Sequence, residues 1–269
     1  LNRLLRKRVL GTAFLVSMLL VGADSAREVP ILMYHRVDID GGDSGLVVTP
    51  ETFERQMEFL KIHNYKVVPL ADLVRDLKAG LHIPQQTIAI TFDDGSADNF
   101  KNAFPVLRKL DFPATIFMIT GNIGRDGWLT EEDLRILDQS GITIGSHTVN
   151  HAFLPDVTSQ EALIRETGES KRHLEDLLGH PVTLFSYPAG GFTERSRRCV
   201  IEQGYEGAVT TNHGHGRHDP YALHRIKVKD AGGNLFSFWI RTTGLYQIGK
   251  KRVTAKDKLL PNELTAKAA

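Results

Sequence analysis

From residue 31 onward the chain alternates short apolar runs rich in Val, Ile and Phe with longer stretches of helical periodicity. That alternation is the pattern of repeated βα units around a parallel sheet, because strands covered on both faces read as unbroken apolar runs. The runs predict strands at 31–35, 66–69, 87–92, 114–119, 142–145, 182–186 and 208–210. Between them, Thr49 followed by Pro50 marks one helix start and Thr158 with Glu161 makes a capping box, while Gly179 and Gly204 mark helix ends. Seven or eight such units suit a closed barrel, and an open doubly wound sheet would carry the same pattern.

The first segment differs in kind. Arg3, Arg6, Lys7 and Arg8 precede an apolar run over 9–22, and the small residues Ala23, Ser25 and Ala26 follow. Charge, then an apolar stretch, then small residues is the order of a signal peptide. The run is shorter than the roughly 20 residues that cross a bilayer, which favours cleavage over an uncleaved N-terminal anchor associated with the membrane. The expected division is therefore 1–26 as signal peptide or anchor, 27–246 as one catalytic domain, and a polar, unpatterned tail over 247–269. The location expected from this is exported: periplasmic, cell-envelope or extracellular.

At 269 residues the chain has room for a sizeable core in one domain. Its 33 basic and 32 acidic residues are interspersed, so it lacks the basic face that a nucleic acid would require. A nearly neutral surface suits an uncharged or weakly charged glycan. Cys199 is the single cysteine, which excludes an intrachain disulfide and a multi-cysteine metal site.

The chemistry concentrates at predicted strand ends, where parallel α/β barrels build their active sites. The strand over 87–92 delivers Asp93, Asp94 and Gly95, and two adjacent carboxylates repel unless a cation or a proton compensates them. The strand over 142–145 is followed by Ser146, His147, Thr148, Val149, Asn150 and His151; on a helical turn the two imidazoles would face the same way. Two histidines and one carboxylate leave positions open for water and substrate, the layout of a catalytic site for zinc or another divalent ion.

Thr91-Phe92-Asp93-Asp94-Gly95 followed by Ser146-His147-Thr148-Val149-Asn150-His151 resembles the first two motifs of the NodB-type polysaccharide deacetylase family, the carbohydrate esterase 4 group. The resemblance implies an irregular (β/α)7 barrel, TIM-like, as the single catalytic domain. It implies Asp93 as general base and Asp94, His147 and His151 as ligands of a divalent metal, most readily Zn2+, with Co2+, Ni2+ or Fe2+ as alternatives. Phe185 to Gly191 resembles the family's Arg-x-Pro-Tyr-Gly loop through Pro188 and Gly190, which gives Tyr187, Pro188, Ala189 and Gly190 to the oxyanion and substrate side, with the N–H of Ala189 as oxyanion donor. Ser186 stands where the family's base-orienting arginine would be, so the sequence leaves open what orients Asp93.

The Ser-Tyr-Pro-x-Gly variant resembles the branch that includes exported poly-β-1,6-N-acetylglucosamine deacetylases of biofilm systems. Ala222 to Arg225 resembles the family's Leu-His motif and nominates His224 as the acid that protonates the leaving amine, with His213, His215 and His218 as rivals. Tyr34 and His35 end the first strand near the same mouth, and His35 is a substrate-side candidate. The activity implied is release of acetate from an N-acetylglucosamine-containing polysaccharide. Alternatives are a peptidoglycan or chitooligosaccharide deacetylase, an aminosugar deformylase and, in another class, a catalytically weak glycan-binding module.

Overall fold

The structure, a computed structural model, describes residues 29–39, 45–211, 219–230 and 234–243. Its main sheet is parallel throughout and is built on β1 (Ile31–Tyr34), β5 (Thr87–Phe92), β6 (Thr115–Met118), β7 (Thr143–Ser146), β8 (Leu184–Ser186) and β9 (Gly207–Thr210). Two short strands, β10 (Leu223–His224) and β11 (Ile226–Lys227), lie beside β9 and β1 respectively. These two are halves of one stretch interrupted only at Arg225, whose N–H donates to the Thr210 carbonyl at 3.0 Å. That stretch therefore joins the two sides of the sheet, and the result is a nearly closed seven-stranded barrel with helices outside.

The seven strands are not quite the seven read from the pattern. The run over 66–69 forms β4 (Lys66–Val67), which pairs with the start of β5 and lies off the main strand path, while 223–227 supplies the closing strand. The closing strand escapes notice because it is short and broken by a charged residue, whereas 66–69 has the apolar composition of a strand without the length to run through the barrel. Two shorter strands, β2 (Arg36–Val37) and β3 (Val47–Val48), form a separate pair.

Alternation along each strand divides the apolar residues into two layers. Ile31, Ala89, Phe117, Leu184, Val209 and Leu223 pack together inside the barrel, joined by Leu70, Leu73 and Val74 of a helix at Leu70–Lys78 that plugs the end where the strands begin. Their neighbours in sequence, among them Leu32, Ile90, Ile116, Phe185 and Ala208, point outward and pack in the larger outer cluster. With one end of the barrel plugged by apolar side chains, its polar interior lies at the strand C-terminal ends.

The helix starts follow from side-chain caps. We label the helices used below α1 (Pro50–Ile62), α2 (Gln160–Ile164) and α3 (Ser170–Leu178). Thr49 caps α1 as read, with Pro50 in the first turn. The cap of α2 is Ser159, one residue beyond the Thr158 expected, and its hydroxyl accepts from the Ala162 N–H. Gly179 ends α3 in the left-handed conformation, and Gly204 likewise has positive φ. Cys199 is buried.

Among the described residues no helix is long and apolar enough to cross a membrane. The segments read as leader and tail, and His213, His215 and His218, lie outside the described residues.

Candidate active site

Beyond the end of β5 the backbone turns sharply. Asp94 (φ 76°) and Gly95 (φ 84°) are both left-handed, and a Cβ on Gly95 would lie 2.1 Å from the Met118 sulfur, so only glycine fits there. The turn sends the two adjacent carboxylates apart, as their mutual repulsion favours. Asp93 points down into the barrel, and Asp94 points toward the histidines.

Asp93 is 3% exposed and meets Arg225, which is 2% exposed. The guanidinium grips the carboxylate with both ends: Nη1 to Oδ1 and Nη2 to Oδ2, each at 2.6 Å. This planar fork is the geometry for which arginine is suited and lysine is not. Ser186 bridges the pair, accepting from Arg225 Nη2 at 2.9 Å and donating to Asp93 Oδ1 at 3.3 Å. Arg225 Nη1 also reaches the Thr91 hydroxyl at 3.2 Å, and the guanidinium lies 5.5 Å from the centre of the Phe117 ring. Burial alone would raise the pKa of Asp93, but the charges of Arg225 and His147 and the Arg225 hydrogen bonds more than offset it and hold the carboxyl well below the usual carboxylate range.

The open question about Ser186 is thereby answered. The arginine that the motif lacks at Ser186 is supplied by the closing strand, and Ser186 is small enough to admit it. The signal for it was present in the sequence. Leu223 faces the barrel interior, so strand alternation carries Arg225 to the same face. His224, the residue expected as the acid, lies between them in β10 and is half-buried, and alternation assigns it to the other face of the strand.

Asp94, His147 and His151 each offer one donor atom, and these lie within 4.8 Å of one another. Asp94 Oδ1 is 3.5 Å from His147 Nε2 and 3.6 Å from His151 Nε2. That oxygen is buried and has no hydrogen-bond partner, a costly state for a carboxylate oxygen unless a cation completes it. His147 is 1% exposed, and its Nδ1–H donates to the Ser186 carbonyl at 2.8 Å, which fixes the ring and leaves Nε2 as the free lone pair. Burial lowers the pKa of His151, with the charge of His147 adding to it, which favours the neutral ligand form. One oxygen and two imidazole nitrogens, all converging and one orphaned, fit a divalent ion of the zinc type.

The two histidines converge by a route other than the helical turn expected. Residues 147–151 are irregular, and both Thr148 (φ 66°) and His151 (φ 57°) adopt left-handed backbone.

His35 is half-buried at the end of β1. Burial lowers its pKa, while Asp93 and Asp94 pull it up and Arg225 and His147 push it down, so its imidazole faces the group of charges at the mouth. In the 3-10 turn Pro188–Gly190, Ala189 is exposed with left-handed backbone (φ 50°), while Pro188 and Gly190 are buried. Tyr187 departs from expectation. It is fully buried, its ring 4.6 Å from Phe192 and 5.2 Å from Phe185, so it packs in the outer core and offers no surface to a substrate.

A family profile described as polysaccharide deacetylase matches residues 82–208. "Putative polysaccharide deacetylase YxkH" of Bacillus subtilis (strain 168) is 35% identical over 225 residues, which cover 82% of this chain and 79% of that protein. The chain belongs to the polysaccharide deacetylase family. As a member of this NodB-type family it is a hydrolase acting on amide C–N bonds. The poly-β-1,6-N-acetyl-D-glucosamine N-deacetylase of Staphylococcus aureus (strain MSSA476) is 25% identical over 203 residues, covering 68% of each chain. Among solved structures, the Streptococcus pyogenes deacetylase PplD in complex with acetate superposes with a TM-score of 0.72 at 27% identity, over 78% of this chain and 97% of that one. This polysaccharide deacetylase thus shares its overall fold with that structure.

Proposed function

We propose that this chain hydrolyses N-acetyl groups on a β-linked N-acetylglucosamine polymer outside the cytoplasm, releasing acetate and leaving a free amine on the sugar. The observation that carries the reading is the pairing of an orphaned, metal-competent trio, Asp94, His147 and His151, with a second carboxylate held apart from it by Arg225. A divalent ion held by the trio would supply Lewis acidity, lowering the pKa of water from 15.7 toward about 7 and drawing charge from the acyl oxygen.

The chain's own residues do the rest. Asp93 is ionised at any physiological pH and aimed by the Arg225 fork, so it can accept the proton of the attacking water. We assign the oxyanion contact to the N–H of Ala189, which is exposed at its left-handed turn. The amine leaves only when protonated, and we assign that proton to His35, half-buried at the mouth; burial lowers its pKa, so the acid is the minority protonated form at neutral pH.

The substrate class draws support from the S. aureus relative, whose name specifies poly-β-1,6-N-acetyl-D-glucosamine. The location draws support from the order of charged, apolar and small residues over 1–26, and 27–246 is proposed as the one catalytic domain. The glycan-binding alternative rested on the absence of an arginine at Ser186, and Arg225 removes that ground.

Acetate release is the test. Purified chain loaded with Zn2+ is incubated with β-1,6-linked N-acetylglucosamine oligomers, chitooligosaccharides and peptidoglycan fragments, and acetate is measured against time. Release from the β-1,6 oligomers in preference to the others supports the proposal; release only from another glycan reassigns the substrate, and tight glycan binding without acetate would overturn the hydrolytic reading. N-terminal sequencing of exported material tests the leader, and an intact Leu1 would refute cleavage.

A further inference from the structure

The loop that carries His151 is held from two sides. On one side, backbone N–H groups from the next strand end take its carbonyls: Thr120 N–H donates to the Thr148 carbonyl at 3.1 Å and Gly121 N–H to the Val149 carbonyl at 2.8 Å. The approach is so close that a Cβ on Gly121 would lie 2.6 Å from the Val149 oxygen. On the other side, one carboxylate takes its amides. Glu166 Oε2 accepts from Val149 N–H at 3.1 Å and Asn150 N–H at 3.0 Å, while Oε1 accepts from the Asn150 side-chain amide at 2.8 Å.

The helix that bears Glu166 is interrupted at that residue. Between α2 and α3 the chain makes a π-helical turn, Arg165–Glu169, which rotates the side chains after it relative to a regular helix. The turn is pinned at its centre: the buried Thr167 hydroxyl donates to the Leu163 carbonyl, and the Tyr205 hydroxyl donates to the Thr167 carbonyl, both at 2.8 Å. The two residues that Glu166 grips lie between Thr148 and His151, both left-handed and neither glycine. Such backbone persists only when its surroundings hold it.

We infer that Glu166 is a positioning residue for the metal centre: it clamps Val149 and Asn150 so that His151 is presented to the ion shared with Asp94 and His147. This rests on the reading that these three residues bind a divalent ion. The three accepted hydrogen bonds call for an acceptor-only group at this place, which a carboxylate is and an amide is not.

The test measures Zn2+ affinity of the full chain by competition with a chromogenic chelator, for wild type, Glu166→Gln, Glu166→Ala and Asn150→Ala. Circular dichroism confirms that each is folded. Expected is a loss of about ten-fold or more in Zn2+ affinity for both Glu166 variants, in the range found for groups that orient metal ligands, with a smaller loss for Asn150→Ala. Amide hydrogen exchange at Val149 and Asn150 should speed up in the same order, and Co2+-loaded Glu166→Gln should show an altered visible absorption spectrum. Wild-type binding with unchanged affinity in both Glu166 variants would overturn the role of Glu166 alone. If wild type binds no Zn2+, the reading of the site falls and this inference with it.

Discussion

The two halves of the site are built by opposite means. Asp93 and Arg225 sit deep in the barrel, fixed by a forked ion pair between side chains that are almost fully buried, on backbone that belongs to or adjoins regular strands. The metal trio lies at the rim, where Asp94 and His151 are more exposed and stand on left-handed backbone in irregular segments. The Asp93 half is rigid through charge and burial, and the half of Asp94, His147 and His151 through backbone hydrogen bonds. A metal ion can complete the second half after folding, but nothing can later repair the first, because a carboxylate without its partner would be stranded in an apolar interior.

Exchanging one residue in each half breaks the comparison most sharply. Asp93→Asn is expected to lower kcat by about 10²–10⁴-fold while leaving Zn2+ affinity within a few-fold of wild type. His151→Ala should do the reverse to binding, weakening Zn2+ affinity severely with little effect on thermal stability. Acetate release and chelator competition on both variants separate the halves, and equal loss of metal by both would merge them.

Next in size is Arg225→Met. Removing one partner of a buried ion pair costs about 3–5 kcal/mol, read as a large fall in urea midpoint, and turnover falls with it. Arg225→Met combined with Asp93→Asn should recover much of that stability and none of the activity, since the uncompensated charge is gone.

The assignment of the acid sharpens the rim side. His35→Ala is expected to lower kcat by about 10²-fold and to remove the limb of the pH–rate profile on which activity falls as pH rises. His224→Ala, whose side chain faces away from Asp93, is expected to keep both the rate and that limb. The opposite outcome would restore the motif's own histidine to the role.

Ser186→Ala removes one hydrogen bond from each member of the ion pair, and a loss of about 1–2 kcal/mol in stability is expected, with a rate loss of at most about thirty-fold by the same energy. The smallest effect is on pH dependence. The pKa of Asp93 is depressed on folding, so its contribution to stability is present above the unfolded value near 3.9 and disappears as pH falls through the lower folded value. The stability difference between wild type and Asp93→Asn should therefore be full above about pH 4 and shrink as pH falls below it, so that their acid unfolding curves converge.

Much of this was legible in the chain. Asp93, Asp94, His147 and His151 follow apolar strand runs directly, and a residue next to a strand end has its place decided by local periodicity. The strand over 87–92 was read to the residue, and most others to within a residue or two. What escaped were features that depend on meeting a distant segment. The closing strand is too short to declare itself, and only its pairing with β9 and β1 makes it a strand. Tyr187 looked like a loop residue beside the site, yet its ring is taken by Phe185 and Phe192.

By itself the sequence determined the βα alternation, the strand-end carboxylates and the histidine pair, because these follow from local pattern and from chemistry carried by neighbouring residues. Only the tertiary structure decided that Asp93, the proposed base, is held by Arg225, 132 positions away. Such a choice is invisible locally, since it is made by barrel closure, which brings the last strand against the first and leaves one buried cation facing one buried carboxylate.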